Sequence, residues 1–339
     1  MSSPSWPSTA PLIARERLDA ILDAARGRRV AIVGDAMLDV YLRGDVERIS
    51  PEAPVPVVRV RQRTYALGGA ANVAQNVGAA GASCALVAAV GDDEAGRKLR
   101  SMLNDVHPET SALVQVHRPT TQKTRVLARA QQVVRVDEED DADLDGGDAE
   151  RVVAAVIAEV SRAGALGLED YNKGVLVPRV IEGAIKAAQA RNIPIIVDPK
   201  YRNFFAYRGA TVFKPNRREL EAAMGAAVDL EHPEALPATF ERLGVQHLLL
   251  TLGERGMALI AADGQVRRIP TTARDVYDVV GAGDTVTAYL ATSLAAGASV
   301  YEAAVVANFA AGVEVGKLGA QTVTPEEIRE AYEELGNRE

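Results

Sequence analysis

The chain of 339 residues has a single cysteine, Cys84. One thiol cannot close an intrachain disulfide, which excludes a disulfide-stapled scaffold and suits a reducing cytoplasm, the expected location. Its four histidines, His107, His117, His232 and His247, do not cluster, so no zinc constellation is present. No stretch reaches the ~18 consecutive apolar residues of a membrane helix, and no membrane partner is expected. Acids outnumber bases, 46 to 38, for a net charge of −8. That balance argues against a nucleic-acid binder that works by neutralising phosphates. Lysine is scarce too, with seven among the 38 basic residues, so each one is a candidate for a specific role. Residues 1–11 are rich in Ser and Pro and lack a basic region followed by an apolar run. They read as a disordered lead-in, not a signal peptide.

What remains is an ordinary globular composition, 47% hydrophobic and 25% charged. Short apolar runs ending in small or acidic residues recur: Val30–Val33 before Gly34-Asp35, Cys84–Val90, Ala165–Leu168 before Glu169-Asp170, Ile193–Val197 before Asp198, and Leu248–Leu250 before Thr251. Helical spacing marks 13–26 and, after the strands, 94–104, 148–163, 178–191, 217–224 and 234–243. The last third is helical at 283–296, 300–316 and 325–335. Strands alternating with helices predict a mostly parallel central sheet flanked by helices on both faces. We expect one α/β domain over residues 12–339. Residues 55–66 and 123–136 instead alternate apolar and polar side chains with no helix between them. They predict a small antiparallel β lid, inserted around 43–66 and 118–136, which covers a site or meets a second copy. Eight acids and no base fall in residues 137–148, and outside that segment the chain carries 38 residues of each sign. The segment reads as solvated surface with no metal role.

Three glycine-rich segments carry the chemistry. In 275–288 (DVYDVVGAGDTVTA), Gly281-Ala282-Gly283 precede a helical run beginning near Asp284. Small residues let backbone N–H groups approach an anion, and the helix N-terminus adds its positive dipole end. An acid there repels a bound phosphate, yet suits a base that deprotonates a hydroxyl attacking a phosphoryl group. Asp284 is equally compatible with an ordinary first-turn helix acid. A dinucleotide fingerprint fails because Val286 stands where the third glycine belongs, and 311–318 lacks the first Gly and the Ser/Thr of a P-loop. Gly68-Gly69 precede a helix with Asn72 in its first turn, suited to sugar hydroxyls. Asp35 and Asp39 follow the first strand, where ligands of open parallel sheets bind.

Together GDAMLD (34–39), GGAANVA (68–74), NRRE (216–219) and GAGD (281–284) resemble the ribokinase-like (PfkB) family of carbohydrate kinases, across residues 28–335. Segments 33–60, 169–176 (EDYNKGVL) and 197–219 are similar within it to heptose 7-phosphate kinases of lipopolysaccharide core synthesis. The resemblance implies a ribokinase-like fold and an ATP- and Mg²⁺-dependent enzyme, with a monovalent cation as a further candidate. The implied reaction is phosphorylation of the anomeric O1 of D-glycero-β-D-manno-heptose 7-phosphate. Those kinases are similar to the N-terminal half of a bifunctional protein. The absence of any histidine after His247 makes a stand-alone kinase the expectation.

The resemblance assigns Asp284 as base and Gly281, Ala282 and Gly283 as the anion hole. It gives the nucleotide Thr251, Gly253, Gly256, Asp278 and Asn308, and gives Asn216 and Glu219 the Mg²⁺, with Glu219 acting through water. The Asn216–Glu219 spacing is also that of a capping box. The sugar falls to Asp39, Gly68, Gly69 and Asn72, with Asp35 secondary. Since its phosphate needs cations, Lys123, Arg125 and Lys173 are candidates, while Lys200 and Lys214 could serve ATP. Two departures stand out: Val280 replaces the usual Thr or Ser before GAGD, and Gly167 interrupts a strand. A homodimer through the lid is expected. The alternatives are a kinase of another sugar (ribose, fructose or a nucleoside) and an inactive sugar-sensing relative.

Overall fold

The structure, a computed structural model, describes residues 13–106, 111–129, 131–231, 236–273 and 276–336. The expected lead-in, His107 and His232 lie outside them. The chain opens with α1 (Arg15–Ala25), β1 (Arg29–Gly34), β2 (Ala36–Ile49), β3 (Pro56–Gly69), α2 (Ala70–Ala79), β4 (Ser83–Val90) and α3 (Glu94–Val106). It continues through β5 (Ser111–Gln115), β6 (Gln122–Ala128), β7 (Gln131–Glu138), α4 (Gly146–Val160), β8 (Ala165–Glu169), α5 (Pro178–Ala190) and β9 (Ile195–Asp198). Then come β10 (Val212–Phe213), α6 (Arg217–Met224), α7 (Leu236–Leu243), β11 (His247–Thr251), β12 (Met257–Ala261) and β13 (Val266–Ile269). Three helices finish it: α8 (Ala282–Ala295), α9 (Val300–Glu314) and α10 (Pro325–Gly336).

Nine strands form the main sheet in the order β13-β12-β11-β10-β9-β8-β1-β4-β5. All neighbours are parallel except β12 and β13, which add an antiparallel edge. Side chains alternate across each strand, so β1 sends Val30 and Ile32 to one core and Ala31 and Val33 to the other. Helices α1, α2, α3, α8, α9 and α10 cover the first face; α4, α5, α6 and α7 cover the second. Burial on both faces is why these strands read as continuous apolar runs. Gly167 in β8 is explained by this packing: a Cβ there would stand 2.6 Å from Ile32 Cδ1. Strands β5, β10, β12 and β13 were not expected, being short or at the sheet edge.

The four-stranded second sheet runs β3-β2-β6-β7. Each ribbon is antiparallel, as alternation suggested, but the ribbons meet through a parallel pairing of β2 with β6. Register puts Asp39 opposite Lys123 and Tyr41 opposite Arg125, with Asp137 and Arg135 next on β7. One face is therefore charged. The other carries Leu38, Val40, Leu42 and Tyr65, which line a cavity of about 740 Å³ against α3. The sheet begins at Ala36, nearer the first strand than the expected lid boundary.

In the main sheet, Gly34 pairs with Glu169, and Glu169 with Asp198. The acids that ended three apolar runs thus share one edge, the carboxyl end of parallel strands where open α/β sheets bind ligands.

Candidate active site

Gly281 takes a left-handed conformation (φ 97°) at the start of α8 and offers no side-chain cap. The first helical bond is Thr285 N–H to the Gly281 carbonyl, 2.9 Å. No acceptor for the Gly283 N–H occurs among the described residues. Val280, where a hydroxyl was expected, donates its N–H to Asp278 Oδ1 at 3.0 Å instead. The Ala282 N–H reaches the Val279 carbonyl only at 3.4 Å, so the turn leaves the Gly283 amide free and that of Ala282 weakly held, the condition for an anion hole.

Asp284, in the first turn of α8, is buried. Asn72 Nδ2 donates to its Oδ2 and the Tyr171 hydroxyl to its Oδ1, each at 2.7 Å. Burial pushes the carboxyl up to about 6, and those two bonds oppose a further rise. Asn72 is held in turn by Asn76, whose Nδ2 donates to the Asn72 carbonyl at 3.1 Å. Asn72 was expected on the sugar; in this structure it orients the acid.

Behind the glycine turn, buried Lys214 donates to Asp198 Oδ2 at 2.7 Å. Burial works against its charge, but Asp198 and Glu169 outweigh it and hold the ammonium above its usual range. A Cβ on Gly283 would stand 3.7 Å from Asp198 Oδ2 and 3.8 Å from Lys214 Nζ, so this pair lies against the glycine turn. Glu169 is buried with neither oxygen hydrogen-bonded. Burial, then Asp198 and Asp284, drives its carboxyl well above the usual range. Lys200 donates to Glu219 Oε1 at 2.7 Å, with its ammonium 5.4 Å from the Tyr171 ring centroid.

Toward the lid, Lys123 Nζ donates to Asp137 Oδ2 (2.9 Å) and Glu139 Oε2 (3.0 Å), and Lys173 Nζ to Glu139 Oε1 (2.6 Å). Arg125 pairs with buried Asp39 at 2.5 Å. Gly68 keeps room beside that pair, since a Cβ would stand 2.8 Å from Asp39 Oδ2. Gly69 turns the chain into α2 at φ 56°, where a Cβ would strike the Asp35 carbonyl at 2.3 Å. Asp35 departs from expectation. Its carboxylate accepts the N–H groups of Tyr171 (2.8 Å), Lys173 (3.0 Å) and Val175 (3.1 Å). It anchors the 171–175 loop that carries Tyr171 and Lys173, and is not turned toward a ligand. The acidic segment also departs from expectation. Asp137 and Glu139 hold the lysines, Asp141 pairs with Arg202, and Asp145 caps α4.

On the nucleotide side, the isolated parallel bridge between Asn216 and Thr251 brings two predicted motifs together. Asn216 and Glu219 form a complete capping box on α6, 2.9 and 2.8 Å. With Lys200 on Oε1, each Glu219 oxygen already accepts one hydrogen bond. Among the described residues, no group of three or more His, Cys, Asp or Glu side chains is arranged to hold a metal ion. Gly253 opens a 3₁₀ turn and Gly256 follows it, at φ 62° and 82°. Asn308 is buried and donates to the Pro270 carbonyl at 2.9 Å, so it secures the 270–272 segment instead of facing an open pocket.

The structure thus gathers Asp284, Gly281–Gly283 and Asn72 around one point, with Lys123, Arg125, Asp39 and Lys173 on the lid side. Tyr171, Asp198 and Glu169 belong to this site and had no assigned role. Their one signal in sequence was an acid or a polar loop immediately after a buried strand.

An uncapped glycine turn with a buried acid, at the carboxyl edge of a parallel sheet and beside a β lid, defines a ribokinase-like sugar kinase fold. The sequence profile of the pfkB family carbohydrate kinases matches residues 28–327, and the chain belongs to that family, whose members use ATP. It is 46% identical over 316 residues to the bifunctional protein HldE of Rhodospirillum rubrum, covering 92% of this chain and 64% of that protein. The HldE of Trichlorobacter lovleyi is 40% identical over 336 residues, 96% of this chain and 68% of that one. The chain therefore spans about two thirds of the length of these relatives. Among solved structures, phosphofructokinase-2 from Escherichia coli in complex with potassium superposes with a TM-score of 0.76 at 21% identity, covering 91% of this chain and 99% of that one. Ribokinase from Arabidopsis thaliana complexed with ribose and ATP gives 0.68 at 22% identity, over 91% and 98%. At such identities these two show the fold alone. No helix among the described residues is long and apolar enough to cross a membrane.

Proposed function

We propose that the chain transfers the γ-phosphoryl group of ATP to O1 of D-glycero-β-D-manno-heptose 7-phosphate, giving the 1,7-bisphosphate and ADP. The observation that carries this choice of sugar is the lid-side cation cluster. Lys123 and Lys173 share one carboxylate, Glu139, with Arg125 beside them. A sugar already bearing a phosphate is the ligand that such a cluster fits. The 40–46% identity to HldE proteins supports the same reading.

Asp284, ionised at neutral pH by its pKa of about 6, takes the proton of the O1 hydroxyl. O1 then forms its bond to the γ-phosphorus as the bond to the ADP oxygen breaks, and the amides of Gly281, Ala282 and Gly283 receive the charge on the transferring oxygens. Asn72 and Tyr171 each hold one carboxylate oxygen, and each oxygen keeps a lone pair for the hydroxyl. Asp198 holds Lys214 charged beside the hole. Mg²⁺ bound with ATP would neutralise phosphate charge, with Asn216 and Glu219 holding its waters. Thr251, Gly253, Gly256 and Asp278 lie on the nucleotide side.

We also propose a homodimer through the second sheet. Strand β7 is an exposed edge, and Val60, Val134 and Val136 are 46%, 47% and 47% accessible. Sedimentation of the wild type and of a Val134→Asp variant tests it; an unchanged monomer in both refutes the dimer. A panel of sugars with and without a terminal phosphate, read by ADP release, tests the substrate. Preference for ribose, fructose or a nucleoside would overturn the heptose reading, and absence of sugar-dependent ADP release would favour a sensor.

A further inference from the structure

Glu169 and Glu314 are the carboxyl groups that, among the described residues, are buried with neither oxygen hydrogen-bonded. Glu169 belongs to the site above. Glu314 has no role there. It ends α9, a helix whose other buried positions are alanine, valine, phenylalanine and Asn308. Its Oε1 lies 3.1 Å from where a Cβ on Gly281 would stand, and Asn72 Nδ2 lies 3.2 Å from the same point. The glycine turn is also tied to this helix end. The N–H groups of Tyr277 and Asp278 donate to the Val315 carbonyl at 2.8 and 3.3 Å. Glu314 therefore sits directly beneath the turn that receives the phosphoryl group.

A carboxylate without donors is costly at such a position. Asp284 faces it from α8 and Asp278 from the preceding loop, both raising its proton affinity. Lys317, in the turn after α9, opposes them, but that ammonium is paired with Glu327 of α10 at 2.5 Å and donates to the Thr322 carbonyl at 2.8 Å. Burial, then the two acids, lifts Glu314 to about 8.

We propose that Glu314 is a positioning residue for phosphoryl transfer, supporting the Gly281 turn as a neutral carboxylic acid, and that its ionisation sets a negative charge against the incoming phosphoryl group and closes the site in alkaline solution. The inference rests on the chain's membership of a sugar kinase family and not on which sugar it takes.

Two measurements test it on the full chain. In the first, kcat/KM for ATP-dependent phosphorylation of heptose 7-phosphate, or of whichever sugar the panel selects, is followed from pH 6 to 9.5. The wild type should lose about tenfold between pH 7 and 9, the fraction lost by an acid titrating near 8. Glu314→Gln, and Glu314→Met as a second non-ionising side chain of similar size, should lose less than twofold. Ionisations of ATP and sugar are common to all three proteins and cancel. The second measurement needs no substrate, so it stands even if the sugar assignment fails. Because folding raises the Glu314 pKa, its stabilisation is full below the unfolded value and is lost as pH rises through about 8. Thermal midpoints of the wild type should therefore fall more steeply between pH 5 and 9 than those of Glu314→Gln. An alkaline limb that persists in both variants, or parallel stability curves, would overturn the proposal. So would a Gln variant inactive at every pH and rescued by added potassium, since that would require the carboxylate as a cation ligand.

Discussion

On the proposed function, the two ends of the cleft would meet anions in opposite ways. At the α8 end the groups are backbone amides that no side chain in the described residues caps; the Ala282 N–H reaches the Val279 carbonyl only at 3.4 Å. At the lid end they are side-chain cations, each already matched: Lys123 by Asp137 and Glu139, Lys173 by Glu139, Arg125 by Asp39. Peptide dipoles carry no net charge, so they can face an empty cleft at little cost, whereas clustered ammonium groups repel one another without counter-charges. The first end is thus largely open, and the second is closed by carboxylates that the sugar phosphate of the proposed reaction would have to displace. Substitutions at the two ends should accordingly fail in different ways, the first in turnover and the second in substrate affinity.

The largest effect belongs to Asp284. Asp284→Asn should lower kcat about 1,000-fold, within the range of a lost general base, while ATP affinity by calorimetry changes less than threefold. Near-normal turnover would remove Asp284 from the mechanism. In the wild type, kcat/KM should fall tenfold per unit as pH drops below about 6, where the carboxylate takes up its proton.

Next come the lid cations. Lys123→Ala and Lys173→Ala should each raise KM for the sugar phosphate about 10- to 100-fold, the worth of one charged hydrogen bond, with kcat changing less. The same variants should treat the unphosphorylated sugar as the wild type does. Equal losses on both sugars would show that the lysines serve the hydroxyls or the fold.

A smaller effect separates orientation from chemistry at the base. Tyr171→Phe removes a bond that holds the Asp284 pKa down, so the acid limb of the pH profile should move upward. At pH 6 the loss should reach several-fold and shrink toward pH 8. A uniform loss at all pH values would mean a steric role only.

How much of this was legible beforehand follows the same division between local and distant information. Strands β1, β4, β8, β9 and β11 were readable because burial on both faces leaves an unbroken apolar run. Glycines and acids at strand ends then marked the cleft. The glycine turn of α8 was readable because its chemistry lies within four consecutive residues. Contacts across the chain were not. Tyr171 and Asn72 reach Asp284 from 113 and 212 positions away. Alternation assigned faces to the lid strands but could not say that β2 pairs with β6 in parallel, because period two carries no partner information. Asp35 read as a hydroxyl ligand because its three amide donors belong to a loop that only the fold brings near. Glu314 passed unnoticed inside an apolar helix, where burial and not sequence makes it unusual. The acids of 137–148 read as solvated surface because their partners, Lys123, Lys173 and Arg202, lie outside the segment.

Glu139 offers the finest test of the contrast. It accepts from both Lys123 and Lys173, so it competes with a bound phosphate for the same two ammonium groups, yet it also holds them at the cleft. Lys123 keeps Asp137 as a second partner, so loss of Glu139 leaves it oriented. Lys173 would retain the placement of its backbone, whose N–H is fixed by Asp35. With orientation largely preserved, removing the competitor should dominate. Glu139→Gln should lower KM for the sugar phosphate about threefold and leave kcat nearly constant, a modest gain because both ammonium groups remain part-exposed and solvent screens the pair they lose. A rise in KM would reverse the argument: the carboxylate would then be the scaffold that places the lysines, and the lid end would be assembled in advance just as the amide end is.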